Sequence, residues 1–197
     1  MKKSGLQKSI LVPLLVAGTA FSVYAHKHDP NAPVSNDKKE LSFIENRGQW
    51  DGGFKYKAGL PGGSLYVFKN KLLFDYYSVA DFARIHDLVC GEGKKTHEEV
   101  ANEVINMHAY AVEFVGSNNT TSTYTQENKR SYYHNYFLGN DQSKWHGKVG
   151  LFGTITQKGI YNGIDFKMYT SNGKISMKYD FIVAPGANPN QIQLKYD

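Results

Sequence analysis

The chain is short of the features that usually announce a function. It has one cysteine, Cys90, so no disulfide can form within it. A fold without that staple must stand on packing. With no His-Asn constellation nearby, Cys90 reads as a tolerated, partly buried thiol. Concentrated positive charge is also missing. Basic residues number 23 against 18 acidic, a net charge of +5, and they are scattered, with pairs such as Lys94–Lys95 and Lys129–Arg130. A nucleic-acid surface shows as a basic patch, so nucleic acid is not expected as a partner.

Catalytic signatures are lacking as well. No Gly-x-Ser-x-Gly elbow occurs. The glycine-rich stretch Gly59–Gly63 lacks the Lys-Ser/Thr ending that cradles phosphate. The turns at Asn140–Asp141 and Asn188 lack the alternating acids of a calcium loop. His97-Glu98-Glu99-Val100-Ala101 begins like a zinc-protease helix, but Ala101 stands where the second imidazole is needed. The acids Glu45, Asp51, Glu113 and Asp165 offer carboxylates, but sequence alone brings no two within the ~5–9 Å that a glycosidase pair requires. The chain is therefore read as no enzyme, with no cofactor, and no residue is assigned a catalytic role.

What is present begins at the N-terminus. Lys2, Lys3 and Lys8 precede an apolar run from Ile10 to Val23, and Val23-Tyr24-Ala25 is a small-x-small cleavage pattern. That is the layout of a secretory signal peptide. The run is shorter than the ~20 apolar residues of a membrane span, so no stable span is expected after cleavage. Removing the three lysines leaves 20 basic against 18 acidic residues. The expected organisation is a signal peptide at 1–25, a flexible leader at 26–40 and one domain at 41–197, secreted or at the cell surface. Cleavage would leave a free amine, two amides and His28 at position three, a square-planar nitrogen set that suits Cu(II) or Ni(II), with His26 adding an imidazole. The leader's polar composition points more simply to flexible chain with incidental histidines.

The domain is rich in strand and turn formers, with 14 Tyr, 11 Phe and 19 Gly. Leu65–Phe68 and Leu72–Tyr77 read as a hairpin buried on both faces or nearly so, after turn chemistry at Gly59–Gly63. Phe82, Ile85, Leu88 and Val89 recur at helical spacing. Thr96 with Glu99 forms a capping-box pattern, so a short helical insert is expected at about 79–106, as two helices or one helix and a loop. Met107–Val115 and Val149–Ile160 read as strands. Asn172–Gly173 reads as a two-residue hairpin turn. In that register Met168 faces Met177, Phe166 faces Tyr179 and Ile164 faces Phe181. Lys167 then opposes Lys178, and Asp165 opposes Asp180. Gln191–Tyr196 alternates as a terminal edge strand, open to association.

Trp50, Trp145, Tyr132 and Tyr133 read first as core aromatics of a sandwich. The alternative is an exposed sugar-stacking platform.

Three ordered segments carry a resemblance: Phe43–Asp51 (FIENRGQWD), Asn135–Trp145 (NYFLGNDQSKW), and Tyr161–Asp165 with Lys178–Pro189. Together they are similar to the N-terminal domain of bacterial exported proteins that carry beta-propeller-type (SBBP) repeats, often linked to gliding-motility, type IX secretion sorting domains. The resemblance implies an all-β, antiparallel β-sandwich-like module outside the cell, with no catalytic residues. It also implies that more chain follows such a module, so the C-terminus is expected to be a truncation point. The expected function is a non-enzymatic structural or adhesive module, its partner a cell-surface protein or a glycan. A carbohydrate-binding module and a secreted hydrolase are the alternatives.

Overall fold

In the computed structural model the described residues are 40–91, 95–96, 98–170 and 176–197. The expected signal peptide, His26, His28, His97 and the Asn172–Gly173 turn lie outside them. The described chain falls into two compact units, one of residues up to Asp75 with Ala109–Asp197, the other of Tyr76–His108.

The fold is all-β and antiparallel with a short helical insert, as composition implied. The strands are β1 (Phe43–Glu45), β2 (Tyr56–Leu60), β3 (Gly63–Val67), β4 (Lys71–Tyr77), β5 (Met107–Phe114), β6 (Thr123–Tyr136), β7 (His146–Tyr161), β8 (Ile164–Thr170), β9 (Met177–Val183) and β10 (Leu194–Tyr196). They join in one sheet, in the order β10-β5-β4-β3-β2-β1-β7-β8-β9. The sixteen-residue β7 organises it. One side of β7 pairs first with β1 and then with β8, and the other pairs with β6.

The two layers of a sandwich arise here from a single sheet that curls over itself. Phe114 of β5 packs against Phe166 of β8 at 4.8 Å and Phe181 of β9 at 6.3 Å between ring centres, although these strands lie near opposite ends of the order. Burying a side chain such as Phe166 stabilises by about 1.5–3 kcal/mol. Inside the curl, Gln157 is fully buried yet fully bonded. Its amide donates to the Lys69 carbonyl at 2.7 Å and to Ser122 Oγ at 2.9 Å, and its carbonyl accepts from the Tyr124 hydroxyl at 2.9 Å.

Turn chemistry sets the hairpins. Leu60 pairs with Gly63, so Pro61 and Gly62 alone make the β2–β3 turn, with Gly62 at φ +70°. Proline followed by left-handed glycine is the type II pattern. The expected loop at Gly59–Gly63 is thus shorter, and Gly59 sits in the ladder opposite Ser64. The β3–β4 hairpin is correct in place, but β3 alternates buried with half-buried residues, so one face only is core.

The β8–β9 register differs from the expectation by two residues. Thr170 pairs with Met177, Met168 with Tyr179 and Phe166 with Phe181. Six residues, 171–176, therefore separate the strands. A two-residue slip keeps every side chain on its face. It also sets Lys167 opposite Asp180 and Tyr169 opposite Lys178, which removes the like-charge pairs of the shorter loop. The terminal strand is present at the sheet's end, but only over Leu194–Tyr196, because Pro189–Gln191 wind into a 3₁₀ turn.

The smaller unit holds α1 (Val79–Cys90), where periodicity placed a helix. Ser78 caps it, its Oγ accepting from the Asp81 N–H at 3.1 Å. Asp81 accepts in turn from the Asn106 backbone at 3.0 Å and side-chain amide at 2.8 Å, and Arg84 pairs with Glu103. The Thr96–Glu99 capping box forms, but it closes a turn at 98–102 rather than a second helix. No residue of α1 is buried, and Cys90 is exposed, not partly buried as expected, because it ends a helix with no buried face. Among the described residues no helix is long and apolar enough to cross a membrane.

Candidate functional site

The candidate site lies in the larger unit, where β6 meets β1 and the loop after β1. That loop, 46–53, is built by two amide side chains. Asn46 Nδ2 donates to the carbonyls of Trp50 at 3.1 Å and Phe54 at 3.0 Å, and its Oδ1 accepts from the Gly48 N–H at 3.1 Å. Gln49, nearly buried, accepts from the Arg47 N–H and donates to the Glu45 carbonyl, both at 2.7 Å. Gly48 takes φ +116°, which glycine tolerates best. The result holds Trp50 half-buried against Phe54 and edge-on to Tyr136, at 5.9 and 4.8 Å between ring centres.

The long β6 supplies the rest. Gln126, Asn128 and Arg130 all engage inner partners: Tyr56, Thr154, and the segment before β1. Arg130 is a clamp. It donates to Glu40 Oε2 at 2.7 Å, Ser42 Oγ at 3.0 Å and the Leu41 carbonyl at 3.1 Å. Between Lys129 and Tyr133 β6 advances by four residues while β7 advances by two. This bulge bends the strand and re-aims the side chains on its C-terminal side.

Beyond the bulge, alternate residues make a row on one face. Tyr132, His134 and Tyr136 are spaced 6.2 and 6.0 Å ring to ring, and Trp50 continues the row at Tyr136. His134 Nδ1 lies 3.1 Å from the Tyr136 hydroxyl. Partial burial raises the pKa of Tyr136 above the usual phenol value, so its hydroxyl keeps its proton. Beside the row runs a groove of about 270 Å³, lined by Glu40, Ser42, Ile44, Tyr132, His134 and Leu151 among others. It joins aromatic faces to a carboxylate, a hydroxyl and an imidazole. That mixture suits an amphipathic ligand with an apolar face and a polar rim.

The four sequence-chosen aromatics are not core residues. Tyr132 and Tyr133 are each 52% exposed and Trp145 is 39% exposed. The buried aromatics are instead Phe43, Phe54, Tyr56, Phe74, Phe114, Phe152, Tyr161 and Phe166. Nor do the four form one platform. Tyr133 pairs with Gly150 and His134 with Val149, so successive residues of β6 point to opposite faces, and Tyr133 turns away from the row. Trp145 packs on Phe137 at 6.1 Å and donates to the Gly139 carbonyl at 3.2 Å. His134, Tyr136, Arg130 and Glu40 were missed. The period-two spacing Tyr132-x-His134-x-Tyr136 was the available signal.

Three of the four acids considered for catalysis, all but Glu45, have other partners. Asp51 pairs with Lys144 at 2.6 Å, Glu113 with Lys195 at 3.7 Å and Asp165 with Lys158 at 2.8 Å. Among the described residues no group of three or more His, Cys, Asp or Glu is placed to hold a metal ion. A second cavity, of about 140 Å³, lies inside the curl between Phe74, Phe114, Phe166 and Tyr179.

No curated protein and no solved structure matches the chain. A family model does, over residues 43–197, which include both the Asn46–Gly53 loop and the aromatic row of β6. The chain belongs to the family described as Domain of unknown function (DUF7948).

Proposed function

We propose that the chain is an exported, non-enzymatic adhesive module that works at the cell surface or outside the cell, with the β6 row as its contact face. The observation that carries this reading is the row itself. Tyr132, His134, Tyr136 and Trp50 are grouped beside a mixed polar and apolar groove on a strand that is otherwise polar and exposed. Grouped aromatics with a polar rim are the usual composition of a contact surface. The N-terminal pattern Lys2–Ala25 supports export. The similarity of Phe43–Asp51, Asn135–Trp145, and Tyr161–Asp165 with Lys178–Pro189 to the N-terminal domain of SBBP-repeat proteins supports a role in a larger surface assembly.

The test is retention under flow. Beads coated with the exported product are passed over bacterial cells and polysaccharide-coated slides, beside albumin-coated beads. The reading expects selective retention that soluble exported product competes away. Retention no better than albumin's would contradict it.

A further inference from the structure

We propose that the groove between β6 and β1 is a binding site for a neutral polysaccharide, with sugar rings stacked along Tyr132 and His134. The proposal rests on the adhesive reading above and names its ligand class.

Three observations carry it. First, the row lies along a strand. Tyr132, His134 and Tyr136 stand 6.2 and 6.0 Å apart ring to ring, with a second register shift between His134 and Tyr136, so the row offers more than one ring's length of contact. Second, the chemistry is matched. A sugar ring has an apolar face of C–H groups, whose slight positive charge suits the negative face of an aromatic ring. Its hydroxyl rim needs donors and acceptors at the side, and Glu40, Ser42 and His134 line the groove there. Gly59 lines the same groove, and a Cβ at that position would meet open space, so the floor is not crowded. Third, the acids beside the row are paired, and Lys57, whose ammonium sits 5.6 Å over the Trp50 ring, does not line the groove. Glu40 is paired with Arg130 at 2.7 Å, and Asp51, beyond Trp50 in the loop, with Lys144 at 2.6 Å. A polyanion or polycation finds no surplus of opposite sign in those pairs, so the site favours an uncharged chain.

The site also contains its own control. Tyr132 and Tyr133 are adjacent and equally exposed, but they point to opposite faces of β6. Removing either costs similar surface, and only Tyr132 belongs to the groove.

The experiment is affinity electrophoresis of the exported product in gels containing β-glucan, mannan, xylan or glycol chitin, with alginate and dextran sulfate as charged gels. Tyr132→Ala and Tyr133→Ala are run beside it, and their far-ultraviolet spectra confirm folding. The expected result is retardation in at least one neutral gel, weakened roughly tenfold or more by Tyr132→Ala and unchanged by Tyr133→Ala. Three results overturn the proposal. The first is retardation in no neutral gel. The second is equal loss in both variants. The third is retardation in the charged gels equal to that in the neutral ones. Selective bead retention with no neutral-gel retardation would leave the adhesive reading standing while the sugar site falls.

Discussion

Replacing Arg130 with glutamine should loosen the wall of the groove and destabilise the larger unit measurably. The guanidinium makes three hydrogen bonds, to Glu40, Ser42 Oγ and the Leu41 carbonyl. Two of the acceptors are neutral, and a hydrogen bond from a charged donor contributes about 1.5–3 kcal/mol when well formed. The side chains of Arg130 and Glu40 are 20% and 26% exposed, so solvent screens the ion pair in part. Its worth then lies between the ~0.2–1 kcal/mol of an exposed pair and the ~3–5 kcal/mol lost on breaking a buried one. Glutamine can recover one neutral bond, which leaves a net cost of about 2–4 kcal/mol. For a domain of this size that lowers the melting temperature by about 4–16 °C. Arg130→Lys should keep attraction to Glu40 but lose the fork that reaches Ser42 and Leu41, and so fall about midway. Urea unfolding monitored by tyrosine and tryptophan fluorescence measures both variants. A glutamine variant within about 0.5 kcal/mol of the parent, or a lysine variant equal to it, refutes the clamp.

Three further outcomes are expected. Gln157→Leu removes a fully buried amide from the Lys69 carbonyl, Ser122 and Tyr124, and should cost about 2–4 kcal/mol in the same unfolding assay. Gly163→Ala puts a Cβ 2.7 Å from Ala187 Cβ at φ +73°, so about 2–4 kcal/mol should be lost, and adding Ala187→Gly should recover the contact part but not the backbone part. Burial pushes the Asp165 carboxyl up, but the Lys158 ammonium and the Gly159 N–H outweigh it and hold its pKa below the usual carboxylate value. A depressed folded pKa gives stability that is present above the unfolded value of ~3.9 and is lost as pH falls through the folded one. Asp165→Asn should therefore differ from the parent by about 1 kcal/mol at pH 7, and the difference should shrink as pH falls below the ordinary carboxylate range, in melts recorded across it.

Some elements were legible because their apolar residues recur with a period, which holds in α1 and β9 even though no residue of either is buried. The alternating faces of β8 and β9 and the helical spacing of Phe82, Ile85 and Leu88 were enough to place their elements. β6 was not legible over Thr123–Ser131, because that stretch has no apolar face to betray it. Register was harder again. Shifting β9 by two residues preserves every face, so the apolar pattern cannot choose between the two-residue and six-residue connections. The charges on the other face could have chosen, since only the longer connection sets Lys167 against Asp180. For the site, the Tyr132-x-His134-x-Tyr136 spacing was visible. The groove beside it depends on the β6 bulge and on Arg130 reaching residues ninety positions earlier in the chain, and no local pattern carries that.

The most direct test of the contact face is a two-dimensional amide NMR titration of the exported product with the neutral oligosaccharide that retards it best. The account predicts shift changes clustered at 40–44, at Gly59 and at 130–136, with the amides of Phe137–Trp145 and of Tyr179–Tyr196 unmoved. Changes centred on either of those latter segments, or none at saturating sugar, would contradict it.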